Sequence, residues 1–159
     1  MVFIHDTRDK ATKHANVDEY LASKGHQVIR SKMFVGDVTL LNDQSVCIDL
    51  KRNLQEVAMN VAQDHARFRR EIERAQEYGI SLIFLIEHGG AVKTLEDVQG
   101  WVNPRQKDHP LALTGPRLYK IMLTIQNKYG IRWEFCDKRC TGKRIVELLC
   151  KEGNVNVGG

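Results

Sequence analysis

The residues of clearest chemical interest in this chain of 159 residues are Asp37, in the run Val35-Gly36-Asp37, and the pair Asp49 and Lys51. Side chains two positions apart in an extended strand share a face, so Asp49 and Lys51 project together. The residues between the two segments read as a hairpin, with Val38 to Leu41 running out, Asn42-Asp43-Gln44 turning, and Ser45 to Lys51 returning. An antiparallel return sets Asp37, near the start of one strand, beside Asp49, near the end of the next. Two carboxylates and an ammonium then meet at one corner of a sheet. That set suits metal-assisted hydrolysis of a phosphodiester. Mg²⁺ or Mn²⁺ is commonly held by a couple of carboxylates plus waters and substrate oxygens. The cation polarises the phosphate and lowers the pKa of an attacking water. Lys51 would orient that water or offset the developing negative charge. Asp6 is a further expected ligand if the first strand lies beside the hairpin. Asp and Lys are common at strand ends, so the reading rests on the agreement of several segments.

The elements that must position these groups follow from apolar spacing. Residues 2–5 read as a strand, 12–24 as a helix with Ala15, Tyr20 and Leu21 inward and Gly25 as its stop, and 27–34 as a second strand. After the hairpin, Leu54, Val57, Val61, Phe68, Ile72 and Ala75 predict one long amphipathic helix over 53–78, ended by Gly79. The apolar run 80–86 predicts a strand buried on both faces. Thr94 caps a short helix over 94–101, and 103–113, with Pro104 and Pro110, is expected to be an irregular loop. Thr114-Gly115-Pro116 opens a helix to residue 129 with Leu118, Ile121, Met122 and Ile125 inward. A strand over 131–135 and a last helix capped by Thr141 complete the pattern, with 154–159 expected to be a flexible tail. Strands separated by helices predict an α/β fold, a three-layer α/β/α sandwich around a central mixed β-sheet, in a single domain across residues 1–159.

Composition narrows the class. Hydrophobic residues at 42% supply a core, and charged residues at 28% with only three prolines argue against disorder. A net charge of +4 and a pI near 8.9 lean towards an anionic partner. The four cysteines lack the paired spacing of a zinc site and are expected to be reduced. His14 and His65 belong to no tight His/Cys cluster in sequence. Thr141-Gly142-Lys143-Arg144 lacks the upstream glycine and the Ser/Thr after lysine of a phosphate loop. The first residues carry no secretory signal, and no apolar run is long enough to span a membrane. The expectation is a protein of the cytoplasm of a bacterial or phage-infected cell.

Taken together, Asp6-Thr7-Arg8, Val35-Gly36-Asp37, Asp49-Leu50-Lys51 and the long helix resemble the nuclease domain of the XPF family, within the PD-(D/E)XK nucleases. That family shows an Asp-x-Arg-Glu start, a Gly-Asp-Tyr turn and a Glu-Arg-Lys-x-x-x-Asp motif. The order matches over roughly residues 2–88, including an apolar strand ending in Glu87. The resemblance implies a restriction-endonuclease-like fold. It makes Asp6, Asp37 and Asp49 metal-binding acids, Lys51 the catalytic lysine, Mg²⁺ or Mn²⁺ the cofactor and DNA the partner. Departures are visible: Asp49 stands for Glu, Leu50 for Arg, Asp9 for the Glu after Arg8, and Gln55 for the last Asp. Glu56 follows Gln55, but one helical step turns a side chain by roughly 100°. A glutamine can still hold a water or a phosphate.

Arg67, Arg70 and Arg74 fall at helical spacing as one basic stripe, and Arg67-Phe68 is similar to the family's Arg-Tyr pair. Arg8, Gln55, Arg67 and Arg70 are therefore the expected substrate-binding residues. The expected activity is endonucleolytic cleavage of DNA, including branched DNA in repair or recombination. Without the helix-hairpin-helix module common in full-length relatives, grip on DNA would come from the chain's own helices, a homodimer or a partner protein. The alternative is a nuclease-like module that binds DNA or protein without cutting, or an RNA nuclease.

Overall fold

Strict alternation in the central strands decides the layering. The computed structural model describes residues 1–153, and its strands are β1 (Val2–Asp6), β2 (Gln27–Ser31), β3 (Val38–Leu40), β4 (Val46–Lys51), β5 (Ser81–Glu87) and β6 (Arg132–Cys136). They form one sheet in the order β2-β1-β3-β4-β5-β6. β1 runs parallel to β2, and β4, β5 and β6 are mutually parallel; β3 is antiparallel to both β1 and β4. The sheet is mixed, as the sequence predicts, because only the β3–β4 connection is short enough to be a hairpin.

On β5, Leu82, Phe84 and Ile86 point to one face and Ile83 and Leu85 to the other, all buried. Helices therefore cover both sides. Helices α1 (Ala15–Ser23) and α5 (Thr141–Gly153) pack on the face of Phe3, Ile48, Ile83 and Leu85 through Val17, Leu21, Ile145 and Leu148. Helices α2 (Leu54–Ala62), α3 (His65–Glu77) and α4 (Gly115–Tyr129) cover the face of Cys47, Phe84 and Ile86 through Leu54, Val57, Phe68, Ile72, Leu118 and Met122. The result is a three-layer α/β/α sandwich.

Several boundaries differ from the sequence reading. The helix expected over 53–78 is broken at Gln63-Asp64, where the Asp64 amide reaches back five residues to the Met59 carbonyl. Val61 and Phe68 are seven apart, two full turns, so the apolar stripe stays in phase across the break and periodicity conceals it. The first helix begins at Ala15, leaving residues 7–14 as a turn-rich loop. The expected short helix over 94–101 is a 3₁₀ turn over Glu96–Gly100 whose N-cap is Leu95 rather than Thr94; the Thr94 hydroxyl accepts from the Asp97 amide at 3.4 Å one residue ahead of the cap.

The loop 103–113 contains a 3₁₀ turn at Pro104–Lys107, and buried Asn103 closes it by donating to the Leu113 carbonyl at 3.0 Å. Thr141 is the first residue of α5 and its hydroxyl donates to the Lys138 carbonyl, so it does not cap; Asp137 caps the preceding turn by accepting from the Arg139 amide. Trp101 and Trp133 are core residues, and all four cysteines are free. The expected tail, 154–159, lies outside the described residues.

Candidate active site

The register of the hairpin places the acids. Val38 pairs with Ile48 across β3 and β4, so Asp37 stands beside Asp49 at the same end. Gly36 makes the entry to β3: its φ of 73° suits glycine, and a Cβ there would lie 3.0 Å from the Ile48 carbonyl oxygen. Three backbone amides then fix the acids. Leu50 donates to Asp37 Oδ2 at 2.7 Å, Asp6 donates through its own amide to the Asp37 carbonyl at 2.8 Å, and Met33 donates to Asp6 Oδ1 at 3.1 Å. Asp6 Oδ2 accepts from Arg8 Nε.

Lys51 points to the same face as Asp49, and its Nζ lies 3.0 Å from Asp49 Oδ1. Beneath it are the rings of Phe84 and Phe68, with centroids 5.6 and 5.8 Å from Nζ. Trp133 stacks on both rings and completes an aromatic floor. The ammonium is thus held between a carboxylate and two ring faces, a position that suits a cation.

These groups open on a cavity of about 290 Å³ at the strand ends, where acids outnumber cationic side chains seven to four. Burial, reinforced by the charge of Asp49, raises Asp37 well above the usual carboxylate range, against the Leu50 hydrogen bond. Burial likewise pushes Asp49 up to about 7, with Lys51 opposing and Glu71 and Glu56 adding to the rise. Burial works against the charge on Lys51, yet Asp49 outweighs it and holds the ammonium above the ordinary lysine range. Crowded carboxylates of this kind are in mutual conflict without a cation.

The structure gathers Asp6, Arg8, Asp37, Asp49, Lys51 and Arg67 on this cavity. Arg70 is exposed and lies off its lining, as does Glu87, which is half-buried against Thr141. Gln55 lines a neighbouring groove of about 890 Å³, which meets the cavity at Glu56, Asn60 and Asp64.

Glu56 faces the acids although helical phase argued against it. Asn53 caps α2 by accepting from the Glu56 amide at 2.9 Å, and Glu56 Oε2 accepts from the Arg52 amide at 2.9 Å. The sequence Asn-x-x-Glu carries that capping signal. It fixes the first turn of α2 directly after β4, with Glu56 turned to the strand end. Glu71 accepts from the Gly36 amide at 3.1 Å and braces the turn that carries Asp37. Its signal is the stripe Asp64, Arg67, Phe68 and Glu71 at three- and four-residue spacing, all on the cavity. Asp9 and Lys13 join from the loop before α1, paired at 2.8 Å.

A mixed sheet between helical layers, with paired acids and a lysine at the ends of an antiparallel hairpin, is a restriction-endonuclease-like sandwich. Among solved structures the fold is similar to XPF from Aeropyrum pernix, with a TM-score of 0.68 and 21% sequence identity over 97% of this chain and 65% of that one. XPF from the same organism in complex with DNA gives a TM-score of 0.66 at 21% identity, over 96% of this chain and 65% of that one. The chain thus spans 65% of the length of those proteins. At this identity the likeness establishes the fold. No protein-family model and no curated protein matches the chain.

Proposed function

We propose that this chain is a Mg²⁺- or Mn²⁺-dependent DNA endonuclease that hydrolyses phosphodiester bonds, with branched DNA in repair or recombination as its substrate class. The observation that carries the reading is the meeting of Asp37, Asp49 and Lys51 in one carboxylate-rich cavity. The donor set fits a hard cation, because it is all oxygen and its acids are buried together with more negative than positive charge. Asp37 and Asp49 would hold the ion, with Glu56 and Glu71 facing it. Asp6, both of whose oxygens are already engaged, serves chiefly to anchor Arg8. When bound, the cation would polarise the phosphate and lower the pKa of the attacking water.

The chain's own side chains do the rest. Lys51, fixed by Asp49 and the aromatic floor, donates to a phosphate oxygen or to the attacking water. Arg8 and Arg67 on the cavity wall meet flanking phosphates. Arg52, Arg105 and Arg117 line the larger groove, and Gln55 adds an amide there, so the groove suits a nucleic-acid backbone leading to the acids. The DNA complex of the Aeropyrum pernix protein, which shares this fold, supports that direction.

Incubation of the purified chain with labelled flap, fork and four-way junction DNA in Mg²⁺ or Mn²⁺ tests the proposal. Cleavage that vanishes in Asp49→Asn while binding persists is the expected result. Binding without cleavage of any substrate would instead identify a non-catalytic nuclease-like module, and cleavage of RNA alone would move the substrate class. Among the described residues no helix is long and apolar enough to cross a membrane.

A further inference from the structure

Next to the acid cavity, and reaching the opposite face of β1 through His5, lies a second polar cluster that shares Asp9 with it. His5 follows Phe3 in alternation and faces α1, whereas Asp6 faces the cavity. Beside His5, at a ring-centroid distance of 5.5 Å, stacks His14 from the loop before α1. Both histidines are almost fully buried, at 2% and 4% exposure. Asp9 approaches from the same loop, its Oδ2 at 3.4 Å from His14 Nε2.

The hydrogen-bond pattern sets the donors. His5 Nδ1 lies 3.0 Å from Asp18 Oδ1, and an ionised carboxylate only accepts, so Nδ1 carries the proton and Nε2 of the neutral ring keeps a lone pair. His5 Nε2, His14 Nε2 and Asp9 Oδ2 are all buried without a hydrogen-bond partner. One ligand atom from each residue falls within 4.8 Å of the others. Two imidazole nitrogens and a carboxylate oxygen buried together with no hydrogen bond among them are costly unless something is placed between them. Ligands about 2.0–2.1 Å from a tetrahedral Zn²⁺ lie roughly 3.3 Å apart, a separation that His14 and Asp9 already approach.

We propose that His5, Asp9 and His14 form a structural site for a transition-metal cation, Zn²⁺, which shares Asp9 with the carboxylate cavity but uses none of Asp37, Asp49 and Lys51. Two imidazole nitrogens and one carboxylate suit Zn²⁺, with a water as fourth ligand, and suit Mg²⁺ poorly. Asp18 supplies the outer carboxylate that commonly orients a zinc-bound histidine. The ion would tie residues 7–14 to β1. That loop carries Arg8, Asp9 and Lys13 to the wall of the acid cavity, and Arg30 already grips it by donating to the Asp9 carbonyl. Asp9 is the residue common to the two sites: Oδ1 takes Lys13 and Oδ2 faces the histidines.

The test is a Zn²⁺ titration of the chelator-stripped full chain by calorimetry, repeated with Co²⁺ to read the absorption of its coordination shell. The wild type and Asp49→Asn should each bind one Zn²⁺ at this site with equal affinity. Asp18→Asn should bind about 10- to 100-fold more weakly, and His14→Ala should lose the site. Should His14→Ala fail to fold, ¹⁵N spectra of the wild-type imidazoles replace it: Zn²⁺ should shift Nε2 of His5 and His14 first among the six histidines. No Zn²⁺ binding by the wild type, unshifted His5 and His14 nitrogens, or Zn²⁺ binding lost in Asp49→Asn but kept in His14→Ala would each overturn the proposal. The readout is metal binding, so it stands or falls separately from cleavage activity.

Discussion

Two clusters of ionisable groups meet at Asp9 on either side of β1, and they are built to opposite rules. In the acid cavity three carboxylates are anchored by backbone amides, Asp37 by Leu50, Asp6 by Met33 and Glu71 by Gly36, and Asp49 is held by Lys51. Its carboxylates are positioned but electrostatically unbalanced. In the histidine cluster the carboxylates of Asp9 and Asp18 already have Lys13 and His5 as partners, yet three buried ligand atoms have no hydrogen bond. The first arrangement asks for a hard cation that can be shared with waters and a phosphate; the second asks for one that accepts nitrogen. Side-chain burial alone does not separate them, because His5, His14 and Asp49 are all almost fully buried. What separates them is the kind of atom left wanting a partner.

The largest expected effect lies on the acid side. Asp49→Asn or Lys51→Ala should lower single-turnover DNA cleavage by about 10²- to 10³-fold, the range found on removing one transition-state-stabilising donor, with circular dichroism unchanged. His14→Ala, assayed in parallel, should lose much less. Equal losses would mean that the two clusters act as one.

The clusters should also respond to pH in opposite senses, which thermal melts of the chelated protein would read. Asp49 sits at about 7 in the folded chain against 3.8 as an ordinary aspartate. Between those values the folded state holds the extra proton, so stability falls as pH rises. Burial, partly opposed by Asp9, pushes His14 down to about 4 from 6.5, so there the unfolded chain holds the extra proton and stability falls as pH drops. Between pH 4 and 6.5 the two contributions oppose each other. Relative to wild type, Asp49→Asn should gain in Tm as pH rises through that window and His14→Ala should gain as it falls, each by roughly 5 °C. Parallel profiles would remove the distinction.

A smaller contrast lies within α2. Glu56→Gln should slow cleavage by about tenfold or more, whereas Gln55→Ala should chiefly weaken DNA binding. The mildest effect is on α3, where Arg67→Ala should raise KM and reduce the salt slope of binding by about 1, with Arg70→Ala close to wild type. A reversed order would place the DNA on the Arg70 side of the helix.

Much of the sandwich was legible in the sequence because strong local signals agreed: the alternation in β5, the hairpin after Asp37, and Gly25, Gly79 and Gly130 at helix ends with φ of 80°, 67° and 67°. The trio Asp37, Asp49 and Lys51 was legible for the same reason, since a tight hairpin fixes register. Glu56 and Glu71 were not. Their positions depend on where a helix starts and how it packs, and neither spacing nor motif position encodes that as plainly as a turn does. The break at Gln63-Asp64 was hidden by an apolar stripe that continues in phase. The histidine cluster was the least visible, because His5 on β1 and His14 before α1 meet only where the irregular loop over 7–14 folds back on the strand. Their separation in sequence gives no metal-binding pattern.

Anomalous scattering from crystals soaked in Mn²⁺ would show whether Asp37 and Asp49 hold the cation for phosphodiester cleavage. A Mn²⁺ peak between the Asp37 and Asp49 carboxylates, lost in Asp49→Asn, is the predicted result. Carboxylates that share no ion, with Mn²⁺ absent or bound elsewhere, would contradict it.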